Sequence, residues 1–241
     1  ARFAALSTGS GSAGARDWAQ ERMGGATQQR AGRFGRTLDL DGDLALVGAL
    51  DAREPAILFE RTDDGWERRM TLAPGSEAVT AGTASVEPVD ATFAKTQLAR
   101  GTLDVALAGG MALVGGRFPE GLVAAFSETD GTWERTGTLV PSDADPGNFG
   151  CAVALSGGGE SALVGAETAT TADGDAAGRT YLFERADGWT QQTTVRANEG
   201  AADDQFGSAV ALAAEDSIGV VGAPGAGTSN GTATGSASIV E

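Results

Sequence analysis

The sequence predicts an all-β protein built from one repeated, four-stranded antiparallel unit. Glycine accounts for 37 of the 241 residues and aromatic residues for only 6%. This composition disfavours helices, because glycine is costly inside them, and it suits short strands joined by tight turns. The segment LFERTDDGWERR at 58–69 also recurs as YLFERADGWTQQ at 181–192, more than a hundred residues later. Such self-similarity indicates a repeat architecture.

A second motif repeats in register with the first. FGCAVALSGGGESALVGAE at 149–167 matches FGSAVALAAEDSIGVVGAP at 206–224 and FGRTLDLDGDLALVGAL at 34–50, and more weakly GTLDVALAGGMALVGG at 101–116. The equivalent anchors, 67, 48 and 57 residues apart, are Leu38, Val105, Val153 and Val210. All four tryptophans fall at one place in the unit, namely Trp18, Trp66, Trp133 and Trp189. The units therefore start near residues 34, 93–101, 149 and 206.

Each unit contains four short strands, which we call A to D. Strand A follows Phe-Gly, as in AVAL at 152–155, and strand B is ALVG at 162–165. Strand C is TYLFE at 180–184, and an Asp-Gly turn of the kind that closes hairpins leads into strand D, WTQQTTVR at 189–196. Strands A and B are apolar, whereas strand D is polar after its tryptophan. This gradient predicts propeller blades, about four in this chain, with the tryptophans as packing anchors.

With these motifs the chain resembles the FG-GAP repeat family, whose propellers include the integrin α-subunit head. Phe206-Gly207 begins a unit and Gly222-Ala223-Pro224 ends its strand B. The second signature is degraded in the other units, and Gly101-Thr102 replaces Phe-Gly in the second unit. The pattern ALVGA…YLFER…GW is closer to the prokaryotic branch of the family than to animal integrins. The resemblance covers nearly the whole chain and implies a β-propeller, commonly seven-bladed in this family.

The order of the strands leaves two interpretations of the ring open. Residues 3–7 resemble strand C, Trp18 begins a strand D, and 235–241 fall where strand C of the last unit would lie. In one interpretation residues 1–33 supply the closing strand of a four-bladed ring. In the other they are the end of a preceding blade, and the chain is a segment of a larger, seven-bladed ring. The second copy of strand C favours the segment. In both, residues 1–241 form a single propeller domain.

The charge and the rare residue types narrow the range of functions. The 33 acidic residues outnumber the 17 basic ones, and a net charge of −16 disfavours nucleic acid and anionic membranes as partners. Lys95 is the single lysine, a composition that resembles proteins of halophilic organisms such as haloarchaea. There is no histidine, which removes histidine-based catalysis and histidine metal ligands. Cys151 stands alone in an apolar run and is predicted to be a buried thiol.

Three carboxylates in the first A–B hairpin are the candidate metal ligands. Asp39, Asp41 and Asp43 alternate in LDLDGDLAL at 38–46. In integrin-type members of the family, alternating Asp residues at this hairpin form a calcium loop, so the resemblance implies calcium as the one cofactor to consider. The glycine precedes the third Asp here, however, and the segment also suits a plain hairpin with its leucines alternating inward. The sequence favours the hairpin.

These features predict a non-enzymatic scaffold, extracellular or at the cell surface, that binds a protein or glycan ligand and serves adhesion. Because they vary between units, the A–B and B–C connections and the stretch at 73–101 are expected to form the binding face. No catalytic or cofactor-binding residue stands out, and no segment is long enough for membrane insertion. The alternatives are a structural repeat section of a larger surface protein and a glycan-acting enzyme that uses two carboxylates.

Overall fold

The computed structural model describes eight stretches of the chain, residues 34–49, 55–73, 79–80, 103–116, 122–143, 146–215, 218–227 and 233–241. These residues form sixteen strands in four antiparallel sheets, and none of them is helical. The sheets succeed one another along the chain, and their first strands lie side by side around one axis. The predicted all-β propeller architecture is confirmed.

Within each sheet the strands lie in the order of the sequence. The first blade has five strands, β1 (Leu38–Asp41), β2 (Leu44–Gly48), β3 (Ala56–Thr62), β4 (Gly65–Leu72) and β5 (Val79–Thr80). The second has four, β6 (Leu103–Ala108), β7 (Met111–Gly116), β8 (Leu122–Thr129) and β9 (Thr132–Leu139). The third also has four, β10 (Ala152–Leu155), β11 (Ser161–Ala166), β12 (Arg179–Arg185) and β13 (Trp189–Val195). In the described part of the fourth there are three, β14 (Ala209–Leu212), β15 (Gly219–Ala223) and β16 (Ser236–Val240).

The strand register confirms the alignment of the repeats. Each predicted anchor of strand A lies opposite a valine of strand B, in the pairs Leu38–Val47, Val105–Val114, Val153–Val164 and Val210–Val221. A bulge also recurs in strand D, because the register between strands C and D shifts next to Phe59, Phe126 and Phe183. The sequence did not predict this bulge. Its recurrence shows that the blades share local geometry as well as topology.

The apolar core lies between neighbouring blades. Leu46 and Leu58 of the first blade pack with Val105, Leu107 and Trp133 of the second in one buried cluster. A second cluster joins the second and third blades around a buried phenylalanine, with a tryptophan packed against it, Phe149 and Trp189. In the first blade Trp66 is half-buried against strands β2 and β3. The three tryptophans thus serve as packing anchors, whereas Trp18 lies outside the described residues.

The glycines of the two signature motifs meet where blades touch. Gly150 and Gly207, which follow the buried phenylalanines, have φ values of 85° and 93°, a conformation that glycine adopts without strain. Their carbonyl oxygens point at Gly115 and Gly165 of the preceding blade, where a Cβ atom would lie only 2.5 and 1.9 Å away. The N–H of Gly150 donates to the carbonyl of Gly165, and the N–H of Gly207 donates to that of Gly222. Both acceptors are the strand B glycines of the same blade. Gly115 and Gly165 are therefore needed because the backbone of the next blade occupies the space that a side chain would take.

Part of the predicted leucine pattern in the first hairpin is wrong. Leu46 is buried and Leu44 half-buried, as expected, but Leu38 and Leu40 are exposed. They lie on the opposite face of the sheet, beside Val47 and Ala45, and no blade in the described ranges packs against that face. The prediction for Cys151 is confirmed, since this thiol is buried and donates to the carbonyl of Gly207 at 3.5 Å.

Candidate functional site

The three candidate carboxylates of the first hairpin point to different partners. Strands β1 and β2 form the predicted antiparallel hairpin, turning at Gly42 with a φ of 58°. Asp39 accepts the N–H of Leu107 at 2.8 Å and Asp41 that of Gly109 at 3.0 Å, both from the second blade. Asp43 stays within its own blade and accepts from Arg61 Nε at 2.8 Å. Calcium binding by these carboxylates stays a prediction. In the residues the structure describes, no three Asp, Glu or Cys side chains are grouped to hold a metal.

A further carboxylate plays the same bridging role at the next interface. Asp104 in β6 accepts the N–H of Val153 in β10 at 2.9 Å. Innermost strands have one edge without a partner in their own sheet, so their N–H groups need acceptors from elsewhere. The carboxylates of Asp39, Asp41 and Asp104 supply these acceptors and thereby tie neighbouring blades together near the axis. The sequence analysis missed Asp104, although a charged residue inside the apolar strand LDVALA is a visible signal.

Asp39 and Asp104 also line a concavity of about 470 Å³ at the axis. Residues of all four innermost strands contribute to its wall, which is otherwise formed by aliphatic and glycine residues. Burial raises the pKa of Asp104; the N–H groups of Val153 and Val105 act in the opposite direction, and the charge of Asp39 raises it further. Because both carboxylates are engaged by backbone N–H groups, their geometry is that of structural acceptors.

The loops fall on two opposite ends of the propeller, which corrects the expectation of one variable face. Because consecutive strands are antiparallel, A–B turns lie at one end, and B–C loops and D–A connections lie at the other. The A–B turns are short and packed together: the N–H of Gly157 donates to Ala214 at 3.2 Å, and a Cβ on Gly109 would lie 2.4 Å from Gly158. The longer connections share the opposite end, which we call the loop face.

On the loop face, the B–C loop of the third blade is tied to the following D–A connection. The carbonyls of Asp175, Ala176 and Ala177 accept the N–H groups of Asp203, Gln205 and Phe206 at 2.9 to 3.0 Å. Ala176, Asp203 and Gln205 have positive φ values of 51°, 65° and 58°, which non-glycine residues hold only when their surroundings enforce it. The two segments, 167–178 and 196–206, therefore form one ordered platform.

A polar cluster holds the base of this platform. Asp143, from the connection between the second and third blades, accepts the hydroxyl of Tyr181 at 2.8 Å and pairs with Arg179 at 2.9 Å. Arg179 also donates to the carbonyl of Thr170 in the B–C loop. Burial raises the pKa of Tyr181, and its hydrogen bond to Asp143 raises it further, so the phenol stays protonated and donating. The cluster joins strand C of the third blade to its own B–C loop and to the connection that leads in from the second blade.

Two further acidic residues, Asp173 and Asp175, lie in the B–C loop of the third blade. Asp173 is exposed, accepts the hydroxyl of Thr171 at 3.1 Å and lies 3.9 Å from Arg196. Asp175 is exposed, and its carbonyl holds the neighbouring segment. Asp175 is thus the more open of the two on the platform, because the Asp173 carboxylate is engaged by Thr171.

The fold and its blade contacts define a β-propeller protein in which glycine pairs and axial carboxylates join successive blades. The model of the family described as FG-GAP repeat matches two adjacent segments of the chain, residues 133–183 and 189–240. Both matched segments begin at a tryptophan and run through strand D of one blade and strands A to C of the next. The family resemblance predicted from the sequence is confirmed in this respect.

Two solved structures that resemble the chain belong to proteins of which it spans about a third or less. One is the leech intramolecular trans-sialidase complexed with 2,7-anhydro-Neu5Ac, with a TM-score of 0.37 and 12% identity over 75% of this chain and 26% of that one. Another is the intramolecular trans-sialidase from Ruminococcus gnavus in complex with oseltamivir carboxylate, with a TM-score of 0.39 and 10% identity over 75% of this chain and 35% of that one. No curated protein matches the sequence. In the described part of the chain there is no helix of the length and apolarity needed to cross a bilayer.

Proposed function

We propose that this protein is a non-enzymatic scaffold that binds a protein or glycan ligand, outside the cell or at its surface, and serves adhesion. The observation that carries the proposal is the ordered platform formed by residues 167–178 and 196–206 on the loop face. Binding residues are commonly carried by loops that a rigid framework positions. FG-GAP repeats are also common in extracellular and surface proteins, which supports the location.

The chemistry of the platform indicates the kind of ligand. Its exposed charged side chains are mostly acidic, and include Asp173, Asp175, Glu199 and Asp203, with Arg196 among them. Such a surface attracts cationic groups of a protein partner. Its carboxylates and backbone groups also suit the hydroxyl groups of a glycan, because carboxylates accept hydrogen bonds strongly. Because the loops are already held by hydrogen bonds, binding would cost little ordering of the platform.

Three half-buried acids are already engaged by hydrogen bonds, which supports binding over catalysis. A glycan-acting enzyme with two carboxylates needs one group as acid and the other as base or nucleophile. Asp39 and Asp104 accept backbone N–H groups from the next blade, and Asp143 holds both Arg179 and Tyr181. Proton transfer by Asp39 or Asp104 would weaken a contact between blades, and proton transfer by Asp143 would weaken the cluster at the base of the platform.

The test is a binding screen of the purified chain against a glycan array and a panel of surface-protein extracts. For any ligand found, the double variant Asp175→Asn with Glu199→Gln should weaken binding by about tenfold, which corresponds to about 1.4 kcal/mol. The control pair, Asp187→Asn with Glu160→Gln, removes the same charges from exposed residues at the opposite end and should leave the affinity unchanged.

Two outcomes would overturn the proposal. One is equal loss of binding in both double variants, which would place the ligand away from the platform or make the effect one of net charge. The other is turnover of a glycan in the same panel, abolished by a single Asp or Glu substitution, which would establish an enzyme.

A further inference from the structure

Carboxylates of one blade bind axis-facing N–H groups of the next blade at fixed positions of the repeat. Asp39 lies one residue after the anchor of its strand A, and it accepts the N–H of Leu107, two residues after the next anchor, at 2.8 Å. Asp104 lies one residue before its anchor, and it accepts the N–H of the next anchor, Val153, at 2.9 Å. Each acceptor thus meets the N–H that lies one position further along strand A of the following blade. The axis-facing N–H groups of strand A are therefore suited to hold a carboxylate oxygen.

Two further N–H groups take this axial position in the third and fourth blades. They belong to Leu155 and Leu212, which correspond in the repeat to Leu107 of the second blade. The N–H groups of the residues that follow them, Ser156 and Ala213, donate across the A–B hairpin at 3.0 and 2.8 Å. Because donation alternates along an antiparallel strand, Leu155 and Leu212 direct their N–H groups away from strand B and toward the axis.

The preceding blades have alanine where a carboxylate would reach these two N–H groups. Ala106 and Ala154 hold the repeat position of Asp39, and a methyl group accepts no hydrogen bond. Within the described ranges, no acceptor contacts the N–H of Leu155 or of Leu212. A backbone N–H without an acceptor costs free energy where water has limited access, so both groups favour a ligand that supplies one.

Leu155 and Leu212 line the axial concavity of about 470 Å³, and so do Asp39 and Asp104. Sites for small molecules have volumes of roughly 300–1,000 Å³, so the concavity has room for such a ligand. Most of its other lining residues are aliphatic, and its wall reaches the A–B turn at Gly157. The A–B turns lie at the end opposite the loop face, so the concavity is separate from the platform.

We propose that the axial concavity binds a small zwitterion whose two charges are separated by an aliphatic spacer. Its carboxylate accepts the N–H of Leu212, as the side chain of Asp39 accepts that of Leu107. Its cationic group lies toward Asp39 and Asp104, because a ligand with negative charge alone is repelled by these carboxylates and by the net charge of −16. The spacer contacts the aliphatic residues of β10, the innermost strand between the blades of Asp104 and Leu212.

The first experiment is a calorimetric titration of the full chain with ω-amino acids of increasing length, from glycine to aminooctanoate. Each is compared with the carboxylic acid and the alkylamine of the same length, which carry one of the two charges. We expect the best-fitting ω-amino acid to bind at least about tenfold more tightly than either, because each of them lacks one charged contact. Its addition should also move the amide proton resonance of Leu212 downfield. The proposal is wrong if no ω-amino acid binds at millimolar concentration, or if one charge alone gives the full affinity.

The second experiment gives the N–H of Leu212 a carboxylate from the chain itself. Ala154→Asp introduces that carboxylate at the repeat position of Asp39 and should weaken binding of the ω-amino acid by at least about tenfold. The control, Ala209→Asp, adds the same charge at an exposed residue of the fourth blade outside the lining of the concavity, and should leave the affinity unchanged. Equal affinity of the two variants would overturn the proposal.

A third variant tests the cationic end without changing the N–H of Leu212. Asp104→Asn keeps an acceptor for Val153 but removes the negative charge that the cationic group faces. It should weaken binding of the ω-amino acid and leave that of the matched carboxylic acid the same or stronger. An Asp104→Asn variant that binds the ω-amino acid as tightly as the parent protein would contradict the assigned orientation.

Discussion

A glycine-to-alanine substitution at an inter-blade contact tests the central packing claim. Gly165 is the second-to-last residue of β11, and a Cβ atom there would lie 1.9 Å from the carbonyl oxygen of Gly207 and 3.0 Å from its carbon. The closest approach of a Cβ and an oxygen is about 3 Å, so the fourth blade must move by roughly 1 Å. The obstacle is backbone and cannot rotate away. The φ of Gly165 lies outside the left-handed region, so alanine is strained only by this contact.

The expected change in the free energy of unfolding of Gly165→Ala is the sum of two opposing contributions. Inserting a methyl group into a packed interface costs about 1–3 kcal/mol, and a rigid backbone contact belongs at the upper end. Alanine also lowers the conformational entropy of the unfolded chain relative to glycine, which stabilises the folded protein by about 0.4–1 kcal/mol. The net loss is about 2 kcal/mol, which lowers the melting temperature by about 4–8 °C in a chain of this length.

Thermal and denaturant unfolding, followed by tryptophan fluorescence, measure the loss. The matched control is Gly188→Ala, because a Cβ at Gly188 has nothing within 4 Å and its φ is also outside the left-handed region. That variant should be as stable as the parent protein or slightly more stable. If Gly165→Ala unfolds within about 0.5 kcal/mol of the control, then the glycines are not required by blade contact and the explanation of the signature motif is wrong.

Three further predictions concern ionisable groups. Asp104→Ala should destabilise the protein by about 1–3 kcal/mol, because the N–H of Val153 loses its acceptor. Asp104→Asn keeps an acceptor and should cost less. Since the pKa of Asp104 is raised on folding, its contribution to stability is greatest at acidic pH and is lost as the pH rises. The parent protein should therefore gain stability relative to Asp104→Asn when the pH is lowered from about 7 to about 4, and denaturant titrations showing the reverse would contradict this. Tyr181 is the only tyrosine, so absorbance at about 295 nm reports it alone; folded protein should show no ionisation near pH 10, where the unfolded chain titrates. Finally, raising NaCl from about 0.1 to about 1 M should raise the melting temperature, because screening weakens the self-repulsion of a net charge of −16; a flat or falling profile would mean that this repulsion is unimportant.

The features predicted correctly from the sequence are local ones. The Trp register, the hairpin at β1 and β2 and the anchor pairs depend on residues close together in the chain, which alternate or turn according to their own chemistry. The partners of the carboxylates were not predictable in this way. Asp104 reaches Val153 and Asp39 reaches Leu107 across 49 and 68 positions of sequence. Nothing in LDLDGDLAL distinguishes a carboxylate that binds a cation from one that accepts a backbone N–H of the neighbouring blade.

The binding face likewise combines local features that the sequence predicts with long-range contacts that it does not. Because both vary in length between units, the A–B turns and the B–C loops were predicted together to form the binding face. Antiparallel pairing, however, places them at opposite ends of the propeller. Among the described residues the platform lies on the loop face, and its hydrogen bonds run from Asp175, Ala176 and Ala177 to a connection more than twenty residues later. The polar cluster of Asp143, Arg179 and Tyr181 likewise joins residues that no local pattern links.

By itself the sequence determined which segments become strands, how they pair within a blade and how often the blade recurs, because strand alternation and Asp-Gly turns act over a few residues. The tertiary structure alone decided which strand faces are covered, why glycine is required at the end of strand B, and which acids accept a backbone N–H. Those properties depend on the distance between blades, and that distance exists only after the blades have packed.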